Sequence, residues 1–157
     1  MNYGKNVIIG LGSSIGHNVV IHDYTIIGNN IRIDDNAVLG KLPMRAANSA
    51  TTKDGKLEHL MIGANVIIGT NSVIYRGASI GNGVLVADLA TIRENVSIGE
   101  RTIIGRGVAI ENYCYIGKRC KLETNAYITA HSTLEDYVFI APGVLTSVRF
   151  RREERHR

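Results

Sequence analysis

Along two long runs of the chain, every sixth residue is Ile, Leu or Val. The first run is Ile9, Ile15, Ile21, Ile27, Ile33 and Leu39. The second is Ile62, Ile68, Ile74, Ile80, Val86, Ile92, Ile98, Ile104, Ile110, Ile116, Leu122, Ile128, Leu134 and Ile140. No position in either run fails. Two residues before the aliphatic stands a small or β-branched residue, as at Val7, Ser13, Val19, Thr25, Val66, Ser72, Ala78, Val96, Thr102, Cys114 and Ala126. The residue after it is often glycine, as at Gly10, Gly28, Gly63, Gly81, Gly99 and Gly117. Six is a multiple of the strand period of two, so the aliphatic and the small residue face the same way. One hexad cannot bury its aliphatic alone. Three short strands closed into a triangular coil can, with coils stacked at about 4.8 Å. The pattern predicts Ile ladders with steps of eighteen residues. It also predicts glycine at corners that need positive φ or close approach of backbones.

Strict hexads of this kind resemble the left-handed parallel β-helix, an exception to the usual right-handed crossover. A right-handed solenoid has longer and less regular coils. The expected fold is therefore all-β, about seven triangular coils of hexapeptide repeats over residues 1–147, followed by a basic tail at 148–157.

One interruption breaks the period. Leu39 and Ile62 are 23 residues apart where six are expected, so an extra segment leaves and rejoins the prism at one corner. This stretch, Lys41 to about His59, is polar and carries Pro43 and Gly55. Long loops inside compact domains are uncommon and tend to be functional, although a disordered spacer is the alternative. Stepping by three hexads carries the face of Ile21 and Leu39 on to Ile74, Ile92, Ile110 and Ile128. The corners that follow stack Tyr75, Arg76 and Gly77 under Arg93, Glu94 and Asn95, then Glu111, Asn112 and Tyr113, then Thr129, Ala130 and His131. Loop and polar edge coincide, which points to a site.

Composition fits a narrow prism: 157 residues, 17 Gly, no Trp and only two Phe. Cys114 and Cys120 both fall on the small inward position, as buried thiols. No apolar stretch is long enough to span a membrane and no secretory leader pattern opens the chain, so it reads as soluble and cytoplasmic. The formal charge is +4, of which the tail from Arg149 to Arg157 supplies five Arg against two Glu. No groove-reading motif or pattern of stacking aromatics accompanies that charge, so no nucleic-acid partner is expected.

From about Tyr3 to Ser147 the sequence is similar to the bacterial hexapeptide-repeat acyltransferases. The part from Leu39 onward, with its run Tyr137 to Ser147, most resembles those that acetylate amino groups of nucleotide-linked sugars. The resemblance implies a homotrimer with sites between subunits, acetyl-CoA as co-substrate, a small amino-sugar acceptor and no metal. Many members use a histidine base within Ala-His-x-x-x-x-Gly. Here Ala130-His131 comes close, but His131 stands three residues before Leu134, where the family motif has four.

On that likeness His131 is the base, and the stacking of the corners offers Glu111, or alternatively Glu135, as the carboxylate that orients it, with Glu111 taken as the catalytic partner. The acceptor set is Arg76, Arg93, Asn95, Tyr113, Asn48 and His59, with both arginines on a diphosphate or carboxylate. Ala141, Gly143 and Ser147 are expected to hold the CoA. Relatives continue past this point with further coils that commonly help to bind CoA. A non-catalytic or shortened scaffold is therefore one alternative. A zinc enzyme of the carbonic-anhydrase kind is another, with His17 and His22 as partial ligands.

Overall fold

A computed structural model describes residues 2–49 and 55–147. The expected tail at 148–157 lies outside the described residues. Among the described residues the chain forms 21 short strands and no helix. Among the described residues, no helix is long and apolar enough to cross a membrane. The strands lie in three parallel sheets of seven. They wind as a left-handed β-helix of about seven turns.

The first sheet holds Asn2–Tyr3, Val20–Ile21, Val38–Lys41, Val73–Tyr75, Thr91–Ile92, Ala109–Ile110 and Tyr127–Ile128. Its register joins Ile74 to Leu39 on one side and to Ile92 on the other. The step of eighteen residues thus survives the loop. In the second sheet Ile98 lies between Ile80 and Ile116. The inward aliphatics of the middle coils are buried to within a few per cent. Each contributes about 1.5–3 kcal/mol of apolar transfer to the prism. The small positions fill the remaining space, including Thr25, Ser72, Thr102, Cys114 and Cys120. Both cysteines are free and buried. Burial raises the Cys114 pKa, while its Sγ–H donates to the Thr129 carbonyl at 3.1 Å.

The corner chemistry differs from expectation in one respect. Glycine after the aliphatic answers to close approach, not to positive φ. A Cβ on Gly99 would come within 2.6 Å of the Gly117 carbonyl carbon one coil away. Positive φ falls instead three residues before the aliphatic, at Asn6, Asn18, Asn30, Asn36, Asn65, Asn71, Asn95 and Asn125. Asparagine tolerates that left-handed conformation better than most residues. The middle corner residue often holds the coils together. Asp23, Asn29, Asp35, Asn82, Asp88 and Asp136 each accept a backbone N–H from the coil eighteen residues earlier.

Gly40 is the exception after an aliphatic, with φ of +79°. It forms a bulge, so that Tyr75 pairs with Lys41 rather than with Gly40. The loop leaves here. It rejoins at Leu60, which is fully buried and takes the small position before Ile62.

Candidate active site

The edge between the first and second sheets carries the expected corner residues, one coil above another. Its first column runs His22, Lys41, Tyr75, Arg93, Glu111 and Thr129. Its third runs Tyr24, His59, Gly77, Asn95, Tyr113 and His131. Two ring pairs form in this third column. Tyr24 stacks on His59 with centroids 5.0 Å apart, and Tyr113 stacks on His131 at the same separation with planes 2° apart. Tyr24, Tyr113 and His131 all hold positive φ, at +64°, +59° and +63°. Bulky residues adopt that conformation at a cost, and the same corner place is left-handed on the other edges too, at Leu89, Arg101, Arg119 and Tyr137.

Between the ring pairs lies a charged core. The Arg93 guanidinium donates to both oxygens of Glu94, Nε to Oε2 at 2.9 Å and Nη2 to Oε1 at 3.1 Å. Its Nη1 reaches Glu111 Oε2 at 3.4 Å. Asn112 Nδ2 donates to Glu94 Oε1 at 3.3 Å, and both Glu94 and Asn112 are buried. A buried carboxylate needs such partners, because desolvation otherwise outweighs its charge interactions. Burial works to lower the Arg93 pKa, but the bonds and charges of Glu94 and Glu111 outweigh it and raise the pKa. On this edge Glu94 and Asn112 hold the middle corner place and bond to each other.

Cations also sit on aromatic faces. Tyr75, nearly buried, has the Lys41 ammonium 5.4 Å from its centroid and the Arg93 guanidinium at 5.0 Å. Arg76 lies 5.4 Å from the Tyr24 centroid. Tyr127 borders the same edge. Burial, followed by the Glu111 charge, raises its phenol pKa.

A family model, bacterial transferase hexapeptide (six repeats), matches residues 59–94 and 77–112. Over that stretch the chain carries the repeat of the bacterial hexapeptide transferases. By sequence, no curated protein matches it. Among solved structures, this hexapeptide-repeat chain is similar to the UDP-N-acetylglucosamine acyltransferase of Francisella novicida. The two share 27% identity over 91% of this chain and 53% of that one, with a TM-score of 0.82. The UDP-N-acetylglucosamine acyltransferase of Bacteroides fragilis is 25% identical over 93% of this chain and 62% of that one, at 0.71. An Arabidopsis UDP-N-acetylglucosamine acyltransferase shares the fold at 17% identity, over 92% of this chain and 56% of that one, at 0.53. The chain thus spans between about half and three-fifths of the length of these relatives. Their names carry acyl transfer to UDP-N-acetylglucosamine rather than the N-acetylation that the sequence resemblance implied.

The structure gathers Arg76, Arg93, Asn95, Tyr113, His59 and His131 on one edge of this hexapeptide-repeat chain. Asn48 lies in an exposed turn of the loop, where Ser49 N–H donates to the Ala46 carbonyl. Glu111 departs from its expected role, since its carboxylate pairs with Arg93 and makes no hydrogen bond to His131 among the described residues. Arg93 departs as well, being committed to two carboxylates. Ser147 stacks above Thr129 on the same edge, whereas Ala141 and Gly143 stand on the edge between the third and first sheets. His17 and His22 also stand on different edges, and His17 Nδ1 lies 3.4 Å from Asp35.

Sequence reasoning passed over Tyr24 and Lys41. The eighteen-residue step would have found Tyr24, one coil below His59 once the loop is discounted. Lys41 is reached only through the Gly40 bulge, which has no period to reveal it.

Proposed function

We propose that this edge is the acceptor side of an acyl-transfer site. An acyl group passes from a thioester, acetyl-CoA or a related donor, to a hydroxyl or amine on a nucleotide-linked sugar. The observation that carries the reading is the exposed His131 ring, held parallel to Tyr113 at the end of a polar edge that also bears the loop. The matches to UDP-N-acetylglucosamine acyltransferases support the acceptor class.

The acceptor heteroatom attacks the thioester carbonyl and its proton passes to a His131 ring nitrogen. The C–S bond breaks as the tetrahedral intermediate collapses, and the thiolate leaves with a proton. A hydroxyl needs this base more than an amine does, because a neutral amine is already nucleophilic. UDP-N-acetylglucosamine has its amine already acylated, so a hydroxyl acceptor gives His131 the larger role. Asn95 flanks the acceptor, and Tyr113 orients the His131 ring.

Ala141, Gly143 and Ser147 serve the donor in this reading. The first two sit on a different edge from His131, so they contribute only if a neighbouring subunit brings its own copies alongside. That argues for a closed ring of three subunits. A cytoplasmic location goes with CoA thioesters and nucleotide sugars as substrates.

The test incubates the protein with acetyl-CoA or longer acyl thioesters and a panel of UDP-linked sugars, following free thiol and product mass. Acceptor-dependent thiol release with an acylated nucleotide sugar is expected. No release with any pair would support the scaffold alternative.

A further inference from the structure

We propose that Lys41 and Arg76, at the foot of the loop, form a binding site for the diphosphate of the acceptor. The inference rests on the acyl-transfer reading above and adds where the anionic end of that substrate lies. It replaces Arg93, which geometry removes from the role: three of its nitrogens already face Glu94 and Glu111.

Lys41 and Arg76 are differently placed. Among the described residues, neither has a carboxylate within ion-pair distance. Both stand over tyrosine rings, which hold a cation in position while leaving its N–H donors free for an anion. They are on adjacent coils, and Arg76 N–H donates to the Lys41 carbonyl at 2.9 Å, so their side chains start from one short stretch of edge. His59 stacks beneath on Tyr24. His22 lies against Gly40, where a Cβ would meet the His22 Cβ at 3.3 Å.

Among the described residues, the nearby acids have other partners or face solvent. Glu94 and Glu111 are tied to Arg93, and Asp23 accepts the Lys5 backbone N–H at 2.9 Å. Glu58 is exposed on the returning loop. The loop walls one side of the place, with Leu57 Cδ2 against Gly77. Arg76 lies three coils from His131, about 14 Å along the edge. A hexose and its diphosphate bridge that span with the reach of the Arg76 side chain.

The experiment titrates inorganic pyrophosphate, then UDP, into the full chain by calorimetry at low and at physiological salt. One saturable site per chain is expected. Lys41→Gln and Arg76→Gln should each weaken it by about tenfold or more, and Arg106→Gln, on another edge, should leave it unchanged. Pyrophosphate should also protect Arg76 from phenylglyoxal in the unaltered protein, a readout that needs no variant. Absence of saturable binding, equal loss in all three variants, or modification of Arg76 unaffected by pyrophosphate would overturn the proposal. Thiol release measured in parallel separates the two ideas. A chain that transfers acyl groups but ignores pyrophosphate loses this site and keeps the activity. A chain that binds pyrophosphate through Lys41 and Arg76 without transfer loses the activity alone.

Discussion

The Tyr113 and His131 rings lie parallel, with centroids 5.0 Å apart and planes within 2°. They occupy the same corner place in consecutive coils, and both backbones are left-handed. Tyr113 thereby fixes the plane in which His131 presents its ring nitrogens. We expect Tyr113→Leu to lower kcat about tenfold with little change in acceptor KM, as misorientation of a reacting group does. Tyr113→Phe keeps the ring and should retain kcat. A rise in acceptor KM for Tyr113→Phe would mean instead that the phenol binds the acceptor directly.

The inward ladder makes a sharper demand on stability. Ile98 is buried between Ile80 and Ile116. Ile98→Asp places a carboxylate there without a partner and should cost several kcal/mol or prevent folding. Circular dichroism and thermal melting check it. A soluble variant that melts cooperatively near the parent temperature would contradict the inward register.

Acid should loosen the corner ladder at Asp35. The His17 backbone N–H donates to its carboxylate at 2.7 Å and holds the Asp35 pKa below the usual aspartate value, against the opposing effect of burial. The folded-state pKa is depressed, so the stabilisation is present above the unfolded value of about 3.9 and is lost as pH falls through the folded one. Asp35→Asn keeps an acceptor oxygen, as Asn29 and Asn82 do at equivalent corners. Its stability should therefore fall less than that of the parent as pH drops below about 4. Parallel acid-unfolding curves for the two proteins would refute this.

Leu89 is a correctable fault. It has φ of +64° and a side chain 55% exposed. Leu89→Asn, the residue that most often fills this corner place, should raise stability by about 0.5–1 kcal/mol. A lower melting temperature for the variant would mean that Leu89 packs against something that offsets its backbone strain.

How far the sequence reaches is seen best at Leu39 and Ile74. Their pairing across the loop follows from period alone, because burial fixes the register of each inward aliphatic and a one-residue slip would expose the whole ladder. The same arithmetic places Tyr113 under His131. It does not say that Arg93 is held by both Glu94 and Glu111. Glu111 and Glu94 are both within a long side chain's reach, and the pairing depends on burial and rotamers that leave no periodic trace. The Gly40 bulge shifts Lys41 onto the edge by one residue, which no count of sixes anticipates. The positive-φ place is legible as recurring Asn three residues before the aliphatic, a weaker periodic signal than the more frequent Gly after it.

The most direct test of the acyl-transfer site is the turnover of His131→Ala, measured as acceptor-dependent thiol release beside the unaltered chain. The expected result is a fall in kcat of roughly 10²–10⁴ with donor affinity nearly unchanged. A kcat within about threefold of the parent would contradict a proton-accepting His131 and, with it, the placement of the chemistry on this edge.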